Sequence, residues 1–147
     1  MIIYPARSIT GRSYQEVTNY YEEIKKTLEG WGYKVIHPMT GKSHLRTETI
    51  LKSGGYTNPT TTNHAIFERD KWMVSAADII YANMCDMENA SIGMCMELAW
   101  ACLLGKHTII ATEEKSIHRH AFVMEAADII FETHEEAMEY LRILGGY

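Results

Sequence analysis

Five short apolar runs alternate with helix-like segments along this chain, and no other feature restricts the fold as much. The runs are Met1–Pro5, Tyr33–His37, Asp78–Met84, His107–Ala111 and Ile129–Phe131. Ser13-Tyr-Gln-Glu16 and Thr133-His-Glu-Glu136 are capping boxes. They open amphipathic helices to about Glu29 and Leu144, the first halted by Gly30 and Gly32. Asn63 caps a helix to about Ala77, Ser91 caps one that Gly105 closes, and a short helix runs from about Arg119 to Ala126. A strand that returns through a helix must pair in parallel with its neighbour.

The pattern predicts an α/β chain built on a single doubly wound, five-stranded parallel sheet flanked by helices, of the Rossmann or flavodoxin-like kind. One domain spans residues 1–147. Residues 39–62 show no period and are rich in Lys, Thr, Ser and Gly, which predicts a long active-site loop, because structureless segments of that length in small domains serve as lids or binding loops. In such sheets ligands sit beyond the carboxyl ends of the strands. Four segments should therefore meet there: Tyr4–Arg12, the long loop, Cys85–Gly93 and Thr112–His120.

A net charge of −5 without a basic run argues against nucleic acid as the main partner. No apolar run reaches membrane-spanning length and no signal-peptide pattern precedes the first strand. Cys85, Cys95 and Cys102 lie in or beside apolar segments, as reduced core thiols do. The expectation is a cytoplasmic protein without a membrane partner. Trp72, Trp100 and the tyrosines read as packing residues.

Between Asn89 and Lys106 the only charge is Glu97, in the segment Ser91-Ile-Gly-Met-Cys-Met-Glu-Leu-Ala-Trp-Ala-Cys-Leu-Leu-Gly105. A helix apolar on nearly every side is a buried helix, and a carboxylate inside it must be paired, hydrogen-bonded or used. One reading is a structural Glu held by backbone or a Tyr hydroxyl; the other is a functional carboxylate. Asp70 is a second acid on an apolar stripe, with Ile66, Met73 and Ala77. Arg69 and Lys71 are its sequence neighbours but point elsewhere on a helix. Two inward carboxylates at one sheet edge suit acid/base or nucleophilic work.

Arg7-Ser8-Ile9-Thr10-Gly11-Arg12 follows the first strand and leads into a helix. Its N–H groups, two hydroxyls and two guanidinium groups suit an anion, the other reading being a solvated turn; Ser91 before Gly93 is a second candidate donor, or simply the cap of its helix. Neither segment matches a P-loop or dinucleotide fingerprint. His118-Arg119-His120 lacks the companion ligands of a metal site and reads as a solvated turn or an anion contact, and no metal or cofactor is expected.

Taken together, these residues resemble the nucleoside 2-deoxyribosyltransferase superfamily. Tyr4 at the end of the first strand, Asp70 eight residues before Asp78, Ser91-Ile-Gly93-Met-Cys-Met-Glu97-Leu98 and Gly105-Lys106 stand in the family's order and spacing. The resemblance implies Glu97 as nucleophile, Asp70 as proton donor and Tyr4 as the group orienting Glu97. Transferases acting on free nucleosides carry Asp six residues before the Glu; this chain has Ser91. With Ser8-Ile9-Thr10-Gly11, that looks like the nucleoside 5′-monophosphate N-glycosidase branch, since a carboxylate repels phosphate and a hydroxyl binds it.

The resemblance thus implies hydrolysis of a nucleoside 5′-monophosphate to free base and sugar phosphate. Base exchange on free deoxynucleosides is one alternative and a non-catalytic nucleotide-binding module another. It also implies a homodimer or larger homo-oligomer in which His120 completes a neighbouring site. His120 and Arg7 both depart from the family's usual residues.

Overall fold

Each of the five apolar runs becomes a strand in the computed structural model, which describes all 147 residues. The strands are β1 (Ile2–Ala6), β2 (Lys34–Val35), β3 (Ile79–Asn83), β4 (His107–Ala111) and β5 (Ile129–Phe131). The helices are α1 (Tyr14–Gly30), α2 (Asn63–Ala76), α3 (Ile92–Leu103), α4 (Ala121–Glu125) and α5 (His134–Leu144). All strand pairs are parallel, in the order β2-β1-β3-β4-β5. This is the doubly wound architecture, with the order reversing between β1 and β3.

Alternation along the strands divides the core. Ile3, Ile79, Tyr81, Ile109 and Ala111 face α1 and α5, joining Val17, Tyr21, Ile24, Leu28, Ala137 and Leu141. Tyr4, Ala6, Ile80, Ala82 and Ile110 face the opposite layer with Met73, Val74, Met94, Leu98, Ala101 and Val123 from α2, α3 and α4. A sheet covered on both faces reads as continuous apolar runs rather than alternating ones. Both capping boxes form: Ser13 Oγ accepts the Glu16 N–H, Glu16 accepts the Ser13 N–H, and Thr133 and Glu136 repeat the arrangement.

Several boundaries differ from expectation for local reasons. β2 is two residues long because this edge strand pairs only at Ile2↔Lys34 and Ile3↔Val35. Thr62, not Asn63, caps α2, its hydroxyl accepting the Ala65 N–H; the Asn63 side chain instead accepts the Gly55 N–H. α4 begins after His120, because Arg119 reaches back to the carbonyls of Thr112 and Glu113.

The larger correction concerns α3. It buries one face, through Met94, Glu97, Leu98 and Ala101, and leaves Ile92 and Leu103 76% and 84% exposed. Cys102 is exposed and Cys95 half-buried, so only Cys85 is a core thiol. Trp72 is likewise exposed. No helix is long and apolar enough to cross a membrane.

Candidate active site

A cleft of about 560 Å³ opens where the strand order reverses, at the carboxyl ends of β1 and β3. Three of the four expected segments line it: Arg7–Gly11, the long loop through Met39, Lys42, Leu45 and Leu51–Ser53, with Pro38 just before it, and Asn89–Gly93. Asp70 reaches it from α2 and Glu97 from α3. The fourth segment, Thr112–His120, does not line it and acts from behind.

The Tyr4 hydroxyl donates to Glu97 Oε1 at 2.7 Å, across 93 residues of sequence. Both side chains are buried. Burial raises the Glu97 carboxyl to about 8; the Tyr4 bond opposes the rise, and nearby Asp70 adds to it. Burial and the Glu97 charge push Tyr4 well above its ordinary value, so it is a donor at any working pH. Asp70 is also raised by burial, less so because Lys42 and Arg69 favour its charged form. The site therefore holds two carboxyl groups that both resist ionisation, a common arrangement where proton transfer accompanies bond breaking.

Asp70 lies on the expected stripe, with Met73 and Ala77 buried in the core and Ile66 at the cleft. Arg69 approaches it more closely than helix geometry alone suggests, with Nε 3.9 Å from Oδ1, while Lys71 pairs with Glu68. Asp70 Oδ1 has no hydrogen-bond partner.

The candidate anion groups are only partly free. Gly11, at φ +84°, turns the chain so that its N–H donates to the Leu51 carbonyl, and the Leu51 N–H returns a bond to Arg12. These bonds dock the long loop on the turn, and Met39, Leu45 and Leu51 join the core. Gly11 thus shapes the turn and does not offer its N–H. Ser8, Ile9 and Thr10 make no bond within the chain through their N–H groups and face the cleft. Arg12 lines a smaller adjoining cavity of about 170 Å³ and is absent from the cleft wall. Arg7 lines both, its guanidinium stacked 4.7 Å from the Tyr20 ring centre.

Ser91 caps α3 as expected, accepting the Met94 N–H at 3.4 Å. Its own N–H donates to His118 Nε2 at 3.0 Å. His118 is buried, and burial lowers its affinity for a proton, so Nε2 stays free to accept. A histidine read as part of a solvated or anion-binding turn instead braces the Ser91 loop. Gly93 stands at the cleft with open space where a Cβ would project. His120 is exposed, caps α4 through Nδ1 and does not reach this chain's own cleft.

Sequence reasoning missed Lys42. It follows Gly41, which adopts φ +77° in a turn closed by the Lys42 N–H to the Met39 carbonyl. Its side chain is 6% exposed, with Nζ 3.7 Å from Asp70 Oδ2. Nothing in Thr40-Gly41-Lys42-Ser43 distinguishes it from a surface-loop lysine. A burial pattern exists for helices and strands, not for an aperiodic loop.

A sequence model described as nucleoside 2-deoxyribosyltransferase matches residues 3–140. A search of curated protein sequences returns no match. Among solved structures, a CMP N-glycosidase from Clostridium botulinum aligns with TM-score 0.61 at 15% identity, covering 98% of this chain and 99% of its own. A 2-deoxyribosyltransferase from Bacillus psychrosaccharolyticus aligns with TM-score 0.65 at 19% identity, covering 95% and 92%. One from Leishmania mexicana aligns with TM-score 0.64 at 17% identity, covering 97% of each. At these identities the structural likeness speaks for the fold, which hydrolase and transferase share.

Proposed function

The chain belongs to the nucleoside 2-deoxyribosyltransferase family, and on that premise we propose that it hydrolyses the N-glycosidic bond of a nucleoside 5′-monophosphate. The observation that carries the reading is the Tyr4–Glu97 hydrogen bond at the wall of a cleft that also holds Asp70. A binding module has no need of a buried Glu97 and a half-buried Asp70 beside its ligand, since a carboxylate taken out of water is costly to keep there.

Glu97 attacks the anomeric C1′ as a carboxylate. The bond from C1′ to the base nitrogen breaks, its electron pair stays with the base, and the Asp70 proton neutralises it. A water then attacks C1′ of the glycosyl–Glu97 ester and yields its proton to Asp70, restoring both groups. This is the retaining two-carboxylate route. Tyr4, which stays protonated, holds Glu97 Oε1 in place and stabilises its charge before attack.

The choice of a monophosphate rests on Ser91 and on the N–H groups of Ser8, Ile9 and Thr10 at the cleft. Arg7 and Lys52 add cationic character to the same wall, and its only carboxyl groups are Asp70 and Glu97. Arg12 and Gly11 drop out as direct phosphate contacts in this reading, for the reasons given above. Residues 39–62 serve as the active-site loop, docked on the Ser8–Gly11 turn rather than swinging free.

Chromatography of products from each nucleoside and its 5′-monophosphate, with and without a second base, tests this. Free base from monophosphates alone is the expected result. Exchange of bases on unphosphorylated deoxynucleosides overturns it in favour of the transferase. Ser91→Asp should cut turnover of the monophosphate on the order of 10-fold or more by placing a carboxylate against the phosphate.

The outward face of α3 supports a homodimer or larger homo-oligomer. Ile92, Met96 and Leu103 stand exposed there, Phe67 of α2 packs edge-on against Trp100, and Phe122 of α4 is 82% exposed beside His120. An apolar face of that extent marks an association surface, and His120 at its margin would reach a neighbouring cleft. Sedimentation velocity should find a dimer or larger species that Leu103→Asp converts to monomer with loss of activity. A monomeric, active wild type removes the idea.

A further inference from the structure

Lys42 is the one buried charge at the cleft that the proposed reaction leaves unused. Its ammonium lies 3.7 Å from Asp70 Oδ2, and Asp70 is its only ion partner within 4 Å. Taking a lysine out of water is costly, and a loop residue could turn outward at little expense. Here the Gly41 turn instead directs it inward, onto a cleft it shares with Asp70 and Glu97.

Two carboxyl groups sharing one cleft can hold two protons, one or none. With both protonated there is no nucleophile; with both ionised there is no acid, and two like charges face each other. Only the state with one proton can attack and protonate in the same step. A single ammonium balances one carboxylate, so it favours that state over the other two.

Resting on the hydrolase reading above, we propose that Lys42 sets the proton count of the Glu97–Asp70 pair, neutralising one of its two carboxyl groups so that the pair holds a single proton at neutral pH. Lys42 is a positioning residue in this role: its charge favours the ionised form of Asp70 and of Glu97 alike, so it limits the pair to one proton without fixing that proton on either carboxyl, and the productive arrangement has it on Asp70. Glu97 already has the Tyr4 hydroxyl to stabilise its charge, whereas Asp70 Oδ1 accepts no hydrogen bond. The ionised form of Asp70 therefore depends on cations alone.

The charged and titratable groups around the pair come from every element packed on it. Tyr4 of β1 and Tyr21 of α1 are held neutral by burial. His37, on the loop that carries Lys42, is lowered to about 4 by burial and by Lys25 and Lys42, and is neutral too. Glu97 comes from α3. Arg69 of α2 approaches Asp70 Oδ1 at 3.9 Å, but its Nη1 is tied to the Thr60 carbonyl and it does not line the cleft. Its contribution is a constant background when Lys42 is changed.

The test is a carbon-13 NMR titration of the side-chain carboxyl groups in the intact protein, for wild type, Lys42→Met and Lys42→Arg. Methionine conserves most of the side-chain volume, and Lys42→Gln replaces it should the Met variant not fold. Loss of the ammonium should move the first ionisation of the pair upward by at least one pH unit, and Lys42→Arg should leave it near its wild-type position. The pH window for base release should shift with it, so that the Met variant falls at least 10-fold at pH 7 and recovers toward pH 9. An unchanged carboxyl titration in the Met variant, or an equal shift in the Arg variant, overturns the proposal. The titration needs no substrate. If wild type releases no base from any nucleotide, the hydrolase reading fails while the NMR result still decides the role of Lys42.

Discussion

Replacing Glu97 with Gln should abolish base release, by on the order of 10⁴-fold or more, while leaving the fold intact and making it more stable. The loss of rate follows from losing the nucleophile: an amide cannot form the glycosyl ester. The gain in stability follows from proton linkage. Glu97 ionises at about 4.5 when exposed and at about 8 in the folded chain. A carboxyl whose folded value is raised contributes less stability as pH rises from the lower value through the higher. At pH 8 the wild type bears that penalty and the Gln variant does not, so the variant should gain roughly 2–4 kcal/mol. Thermal unfolding of both proteins at pH 5 and pH 8 measures it. The advantage should be present at pH 8 and nearly gone at pH 5. A Gln variant that still turns over at the wild-type rate removes the nucleophile assignment.

Asp70→Asn should lower base release by about 10²–10⁴-fold, the usual worth of a general acid, and should invert the alkaline limb of the pH profile. On the proposed mechanism the productive pair holds one proton. kcat/KM should therefore fall above about pH 8, where the last proton leaves, and fall again in acid as the second proton is taken up. These limbs belong to the pair and not to either residue. Once Asn replaces Asp70 there is no acid to lose, and the only requirement is an ionised Glu97. Residual activity should then rise with pH and level off, at a value below the wild-type limb because the Asp70 charge no longer pushes Glu97 upward. A base that departs without protonation, such as one already cationic, should restore much of the lost rate. An Asn variant that keeps the bell-shaped profile sinks the acid assignment.

The two acids at the cleft each carry a signal in the sequence. Glu97 stood out because a lone charge in an apolar helix must be accounted for, and Asp70 because it fell on a stripe of Ile66, Met73 and Ala77. Both capping boxes formed as read, since each is closed by atoms three residues apart. The apolar surroundings of Glu97 misled in one respect. Uniform hydrophobicity around α3 reads as burial on all sides, yet in this chain it marks one core face and one outward face, and a helix that meets a second copy carries the same signature. The turn after β1 offers fewer free donors than its sequence suggests. A count of N–H groups in Ser8–Arg12 does not reveal that Gly11 gives its own to Leu51.

The sequence by itself determined the order and kind of the elements, the parallel doubly wound sheet and the two acids that face inward. Caps, periodicity and strand–helix alternation are all settled within a few residues of chain, where local geometry is nearly independent of what packs later. The tertiary structure alone decided which groups remain available and which are already taken. It brought Tyr4 to Glu97, His118 behind Ser91 across 27 residues, and Lys42 to within 3.7 Å of Asp70. Such pairings depend on how an aperiodic loop docks on the sheet edge. That docking is governed by a few buried side chains and two long-range backbone bonds, which leave no repeating trace in the sequence.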